Sequence, residues 1–281
     1  MEPPLRDLPQ LLVINPPAFF NYGDPFAAKF AVLRAWESPL PLPGFLSAHA
    51  QSARALLCSG AARCRRRGMA VANAGEVFSD DVADEAVGLA LAVLRRVSAA
   101  DRFVRRGLWA EEGDFALGSK LAGKRVGIVG LGSIGLQVAK RLEAFGCPVS
   151  YNSRTKKPSV SYPFYANVNS QQTQTHHMID KSVLLALGKD GILINVCRGA
   201  IIDEKELVQS LVRGEIRGAG LDVFENEPNV PEELLSLDNV ILSPHVAVFT
   251  EESFQDLAEL MIANLEAFFS NEPLITLVID E

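Results

Sequence analysis

This chain has little cysteine, no surplus of positive charge and no long apolar run, and each shortage excludes a class of function. The four cysteines, Cys58, Cys64, Cys147 and Cys197, show neither a CxxC pair nor metal-ligand spacing. Free thiols in a reducing compartment are therefore expected, and no metal centre. The formal net charge of −7 argues against nucleic acid and anionic membrane as main partners. Arg65-Arg66-Arg67 is the one tight basic cluster, and a solvated helix end accounts for it. The longest apolar run, Ala86 to Leu94, is too short to span a bilayer. The N-terminal MEPPLRDLPQ has no apolar core, so no signal peptide is expected. The expectation is a cytoplasmic protein with neither a nucleic-acid nor a membrane partner.

What is present is apolar mass and one organising stretch. At 281 residues, 48% of them hydrophobic, the chain is long enough for about two domains. From Lys124 to Thr155, the apolar run Val126–Val129 ends in Gly130-Leu131-Gly132-Ser133-Ile134-Gly135. Ile134, Val138, Leu142 and Phe145 then recur at helical spacing, Gly146 supplies a stop, and a second strand follows at Val149–Tyr151. Strand, glycine turn, helix, strand is the context that makes GxGxxG a dinucleotide site. Gly130 allows the tight turn, Gly132 lets the backbone approach a pyrophosphate, and Gly135 lets the helix pack on the strand. The helix N-terminus then offers N–H groups and a positive dipole end to the phosphates. A purely structural glycine turn is the plain alternative, and the flanking pattern disfavours it.

The second strand ends at Asn152, followed by Ser153, Arg154, Thr155, Lys156 and Lys157. A carboxylate there would accept from the ribose 2′-OH of NAD and repel a 2′-phosphate. With no acid present and a guanidinium beside two hydroxyls, the site reads as one for NADPH/NADP+, with NADH weaker. A solvated basic turn is the alternative.

Elsewhere, Leu11–Asn15, Ala53–Cys58 and Met69–Asn73 read as strands. Ser79 reads as the cap of a helix, apolar nearly all round, that runs to about Val97. Arg102–Leu117 reads as a charged connection. Ile192–Val196, Ala219–Phe224 and Val240–Ser243 read as further strands. Asp203 caps a helix with Glu206 placed for a capping box, and a last helix starts at Thr250 with Phe254, Leu257, Met261, Leu265 and Phe268 on one stripe.

Three polar residues follow strand ends, where open α/β sheets bind ligands: Arg198 in NVCRG, Glu227 in GLDVFENEP and His245 in LSPHVA. The arginine can clamp a carboxylate with two parallel hydrogen bonds and polarise a neighbouring carbonyl. The histidine can give a proton to the carbonyl oxygen as hydride reaches carbon, and the acid can orient the imidazole. Singly, each has a plainer reading as a surface ion-pair member or loop residue; together they point to hydride transfer.

GLGSIG, NVCRGAIIDEKEL, AGLDVFENEP and SPH resemble the signature series of the D-2-hydroxyacid dehydrogenases. NAGEVFSDDVADEAVGLALAVLRR and YNSRT resemble the plant NADPH-preferring glyoxylate/hydroxypyruvate (or hydroxyphenylpyruvate) reductases. The resemblance covers nearly the whole chain. It implies Arg198, Glu227 and His245 as the catalytic trio, and a cofactor contact from Val196, Cys197 and Asp222. It implies an α/β fold in which a doubly wound, parallel-sheet NADP-binding domain (99–248) joins a smaller flavodoxin-like substrate domain built from both chain ends (1–98 and 249–281). It also implies a homodimer and a small 2-oxo acid substrate.

The family pattern is shortened at two places. A strand and a Gly-x-Asp loop are missing between Ser59-Gly60 and Arg63-Cys64. From Lys156 to Asp180 there is one short candidate strand, Tyr165–Val168, and no apolar run for the fourth strand that a 3-2-1-4-5-6 sheet needs. That absence would leave Val126–Val129 unpaired on one edge unless Ile192–Val196 moved across to it. His176 and His177 fall at this second gap, and adjacent histidines in a polar loop are more often solvated than metal ligands. Two readings stand: an NADPH-dependent 2-oxo acid reductase, or a shortened, non-catalytic dinucleotide-binding protein.

Overall fold

The computed structural model describes residues 8–15, 20, 23–49, 51–58, 69–166 and 175–278. The first gap in the family pattern, with Cys64 and the Arg65–Arg67 cluster, lies outside them. The chain forms two compact units, one of residues 1–77 with 250–281 and one of residues 78–249.

In the first unit, β1 (Gln10–Val13) lies between β2 (Ala31–Arg34) and β3 (Ala55–Leu57), all parallel. Leu11, Leu12 and Val13 are all buried, as befits a strand covered on both faces. Phe26 and Phe30 close one side of this core with the helix Glu251–Phe269, whose Phe254, Leu257, Met261 and Leu265 point inward as the spacing predicts. Thr250 caps that helix by accepting from the Ser253 N–H at 3.1 Å. Met69–Asn73 is not a strand. Its backbone makes a single antiparallel bridge, Ala72 to Leu277, and Thr276 Oγ1 donates to the Asn73 carbonyl.

Among its described residues the second unit holds six parallel strands in two sheets of three. One has the order β4 (Val126–Val129), β5 (Val149–Asn152), β6 (Phe164–Tyr165), and the other the order β7 (Ile192–Asn195), β8 (Gly218–Leu221), β9 (Val240–Leu242). The long helix Ser79–Arg95 packs on the helix Ser133–Ala144 and on β7, β8 and β9. The division of contacts therefore falls between Val77 and Phe78, ahead of the boundary at 98 read from the sequence. Ile192 of β7 packs into the same core as Val126, Ile128, Leu142 and Tyr151, so apolar packing bridges the two sheets although hydrogen bonds do not.

Among the described residues β4 pairs with β5 alone, and β7 has not moved across to it. The N–H groups of Val126 and Gly130 donate to the Pro148 and Asn152 carbonyls of the β5 side. By the alternation of a parallel ladder, Gly127 and Val129 face the other edge. Both are exposed, Val129 to 55%. Water reaches those backbone groups, so the gap forfeits side-chain burial rather than imposing the larger penalty of buried unpaired groups.

Three further expectations are corrected. Ser79 is the first helical residue and not the cap: Phe78 holds that position, with no side-chain cap bond. Asp203 does cap its helix, Glu204–Val212, accepting from Glu206 N–H at 3.1 Å, but the box is half formed. The Asp203 N–H already donates to Ile179 O, and the Glu206 carboxylate turns to Lys181. On the helix Ser133–Ala144 the inward stripe is Gly135, Ala139 and Leu142, while Ile134 and Phe145 are each 39% exposed. The register shifts because a Cβ on Gly135 would lie 2.3 Å from the Gly130 carbonyl oxygen. Only hydrogen fits there, so Gly135 sets which face meets β4. The connection Arg102–Leu117 contains two short helices, Val97–Arg105 and Leu108–Glu112, with Phe103 against Phe115 and Trp109 64% exposed.

Candidate active site

The glycine turn follows β4 directly. Gly130 takes φ +93°, a left-handed conformation that other side chains resist, and Gly132 is the N-cap of Ser133–Ala144 in extended backbone. No side chain caps that helix, and nothing lies within 4 Å of where a Gly132 Cβ would stand. Uncapped N–H groups beneath an open approach are the donor set that a pyrophosphate requires. Leu131 is 1% exposed and packs inward, so it has only backbone to offer. At the end of β5, Asn152 Nδ2 donates to the Tyr165 carbonyl at 2.8 Å and ties the turn to β6. Ser153 Oγ donates to the Thr155 carbonyl at 2.5 Å, and Arg154, Thr155, Lys156 and Lys157 are exposed.

The strand ends of the other sheet carry the polar trio. Glu227 Oε2 meets His245 Nδ1 at 2.8 Å, and Glu227 Oε1 accepts from the Phe224 N–H at 3.0 Å. The hydrogen bond from His245, helped by the Phe224 N–H and the nearby charge of Arg198, holds the Glu227 carboxyl below the usual carboxylate range. With Nδ1 committed to an ionised acid, Nε2 is the imidazole nitrogen left to face a substrate. Arg198 is exposed in extended backbone just after β7, with Nη1 donating to the Cys197 carbonyl at 2.6 Å.

Buried partners fix these loops: Asp222, expected at the cofactor, and Asn195 and Gly199, which the sequence reading did not single out. Asp222 is 1% exposed, and its carboxylate accepts from Ser243 Oγ (2.6 Å), Val246 N–H (2.9 Å) and Ala247 N–H (3.0 Å). The Asp222 carbonyl accepts from the His245 N–H at 2.8 Å. The carboxylate expected beside the nicotinamide is thus turned into the loop that carries the histidine. Asn195, also buried, accepts from Cys197 N–H and donates to the Arg198 carbonyl, both at 3.1 Å. Gly199 lies so close to the next loop that a Cβ would fall 1.9 Å from the Phe224 carbonyl carbon. The lone Asn in ILIN and the Gly after Arg198 were the available signals.

Residues 87–247 match the D-isomer specific 2-hydroxyacid dehydrogenase, NAD-binding domain. This chain belongs to that family. It is an oxidoreductase, and its cofactor is a nicotinamide dinucleotide. It is 52% identical over 280 residues to a glyoxylate/hydroxypyruvate reductase of Arabidopsis thaliana, covering 92% of this chain and 85% of that protein. It is 51% identical over 230 residues to the hydroxyphenylpyruvate reductase of Plectranthus scutellarioides, covering 77% and 73%. Among solved structures, an NADPH-dependent glyoxylate/hydroxypyruvate reductase of Sinorhizobium meliloti, in complex with NADP and malonate, superimposes with a TM-score of 0.82. That match has 35% identity and covers 96% of each chain. No helix among the described residues of this 2-hydroxyacid dehydrogenase is long and apolar enough to cross a membrane.

Proposed function

We propose that this chain reduces small 2-oxo acids, glyoxylate and hydroxypyruvate foremost, to D-2-hydroxy acids with NADPH. The observation that carries the reading is the 2.8 Å contact between Glu227 and His245, on a loop adjoining Arg198. Arg198 clamps the substrate carboxylate and draws electron density from the adjacent carbonyl. When bound, the reduced nicotinamide supplies a hydride to the carbonyl carbon. His245 delivers the Nε2 proton to the carbonyl oxygen, so one C–H and one O–H bond form as the C=O double bond becomes single. Glu227 stays ionised, offsets the imidazolium before transfer and keeps the ring in register. Gly130, Gly132 and the N-terminal turn of Ser133–Ala144 hold the pyrophosphate, and Asn152–Thr155 the 2′-phosphate. The second unit, residues 78–249, acts as the cofactor domain and the two chain ends as the substrate domain, in a cytoplasmic homodimer.

The names of the plant and bacterial relatives support the substrate class, and the absence of an acid at Asn152 supports the cofactor. The open edge of β4 favours a second reading, a dinucleotide-binding chain without turnover. Steady-state reduction of hydroxypyruvate and glyoxylate by the purified 281-residue chain separates the two. NADPH binding without turnover would establish the second. On the first reading Arg154→Ala weakens NADPH binding by about 1–3 kcal/mol, the loss of a charged hydrogen bond, and leaves NADH nearly unchanged. Equal weakening of both cofactors would refute the 2′-phosphate assignment.

A further inference from the structure

The histidine pair at the second gap, His176 exposed and His177 half-buried, meets two carboxylates remote in sequence. His176 and His177 stack, with ring centroids 3.8 Å apart. Both turn Nε2 toward one oxygen, Glu225 Oε1, at 3.8 Å and 2.7 Å. One ligand atom from each of the three residues lies within 4.8 Å of the others. On the far side of its ring, His177 Nδ1 faces Asp203 Oδ2 at 3.8 Å. Imidazole to an ion and, through its other nitrogen, to a carboxylate is how proteins orient a metal-binding histidine and fix its tautomer.

The charge balance points the same way. Asp203 and Glu225 face the two imidazoles and Glu204 lies beside Glu225, and none of the three acids is ion-paired to a lysine or arginine among the described residues. Glu204 is 8% exposed and accepts from the Glu225 N–H at 3.1 Å. A divalent cation would offset this surplus.

We infer that His176 Nε2, His177 Nε2 and Glu225 Oε1 form a Zn2+ site with its fourth position open to water. Two imidazoles and a carboxylate are a zinc donor set. Tetrahedral bonds of about 2.1 Å put ligand atoms about 3.4 Å apart. The 2.7 Å pair must therefore open and the 3.8 Å pair close, each by less than an ångström. Binding replaces the His177–Glu225 hydrogen bond and requires the imidazole proton on Nδ1, the nitrogen that faces Asp203. The ion would join two loops of the candidate active site, because the His177 N–H donates to the Ala200 carbonyl two residues after Arg198, and Glu225 lies two residues before Glu227. It would brace the loops without touching substrate.

Isothermal titration of the chelator-treated, full-length protein with ZnCl2 tests this, with Co2+ absorption reporting the ligand field. One equivalent should bind to the wild type and raise its melting temperature. His176 has a side chain 59% exposed, so His176→Gln should fold normally yet bind zinc at least about tenfold more weakly and lose the thermal shift. Asp203→Asn retains a good helix cap and should weaken binding about ten- to hundredfold. Absence of saturable binding, or binding unchanged in His176→Gln, would overturn the site. So would binding lost only in His245→Asn, which would put the ion on the Glu227–His245 pair.

Discussion

The two sheets of the second unit both end in loops of the candidate site, yet they are built to different standards. β8 is buried at every position and flanked on both edges by β7 and β9. The loops after β7, β8 and β9 are cross-braced by Asn195, Gly199 and Asp222, all buried. β4 alternates between half-buried and exposed and has one partner. The glycine turn that follows it depends on local geometry: a left-handed Gly130 and a helix held close by Gly135. A polar constellation assembled from three strands needs a sealed sheet to fix its members. A phosphate cradle made by one turn and one helix can be kept on a partly open one.

Removing the imidazole should have the largest effect. His245→Ala is expected to lower kcat for hydroxypyruvate by about two to four orders of magnitude, the range of general acid–base catalysis. Stopped-flow measurement of a near-normal rate in that variant would take His245 out of the reaction. Next in size is the contrast in backbone protection. Ala219 and Asp222 donate to Asn239 and Asn195 at 3.1 and 3.0 Å in the sealed sheet. Gly127 and Val129 should exchange their amide hydrogens about three orders of magnitude faster, as groups that open locally do beside those that open only globally. Similar protection factors at the four sites would mean that β4 is covered in solution, and the contrast would fall. A smaller effect is expected from Gly199→Ala, which places a methyl on the Phe224 carbonyl and should destabilise by about 1–3 kcal/mol. Urea denaturation reads that loss. Its absence would show that the braced loops yield more readily than the close approach implies.

The sequence made the sheet strands legible because parallel strands covered on both faces are apolar without interruption, as in Ile192 to Ile194 and Val240–Leu242. Arg198, Glu227 and His245 were legible because polar residues stand out just after such runs. Asn195 and Asp222 were less so: a buried polar residue explains itself only through the distant groups it bonds, here the Arg198 carbonyl and the Ser243, Val246 and Ala247 donors. The helix register after the glycine turn was misread since hydrophobicity favours Ile134, whereas close packing favours Gly135, and sterics win. Met69–Asn73 has strand composition but, among the described residues, no neighbour strand to pair with beyond one bridge. His176 and His177 looked solvated because Glu225 and Asp203, which meet them, are remote in sequence.

The backbone of His245 has a consequence for stability itself. It sits at φ +55°, where a side chain with a Cβ is disfavoured by roughly 1–3 kcal/mol. The bonds from its own N–H and from Val246 and Ala247 to Asp222 hold it there. A residue free of that penalty would suit the turn better than the histidine that the proposed mechanism needs. Thermal denaturation should therefore rank His245→Gly above His245→Ala, with both inactive, and a reversed order would show the turn to be relaxed. On the proposed mechanism the imidazole is kept where it would serve turnover at the expense of the fold, so at this position selection for rate and selection for rigidity would favour different side chains.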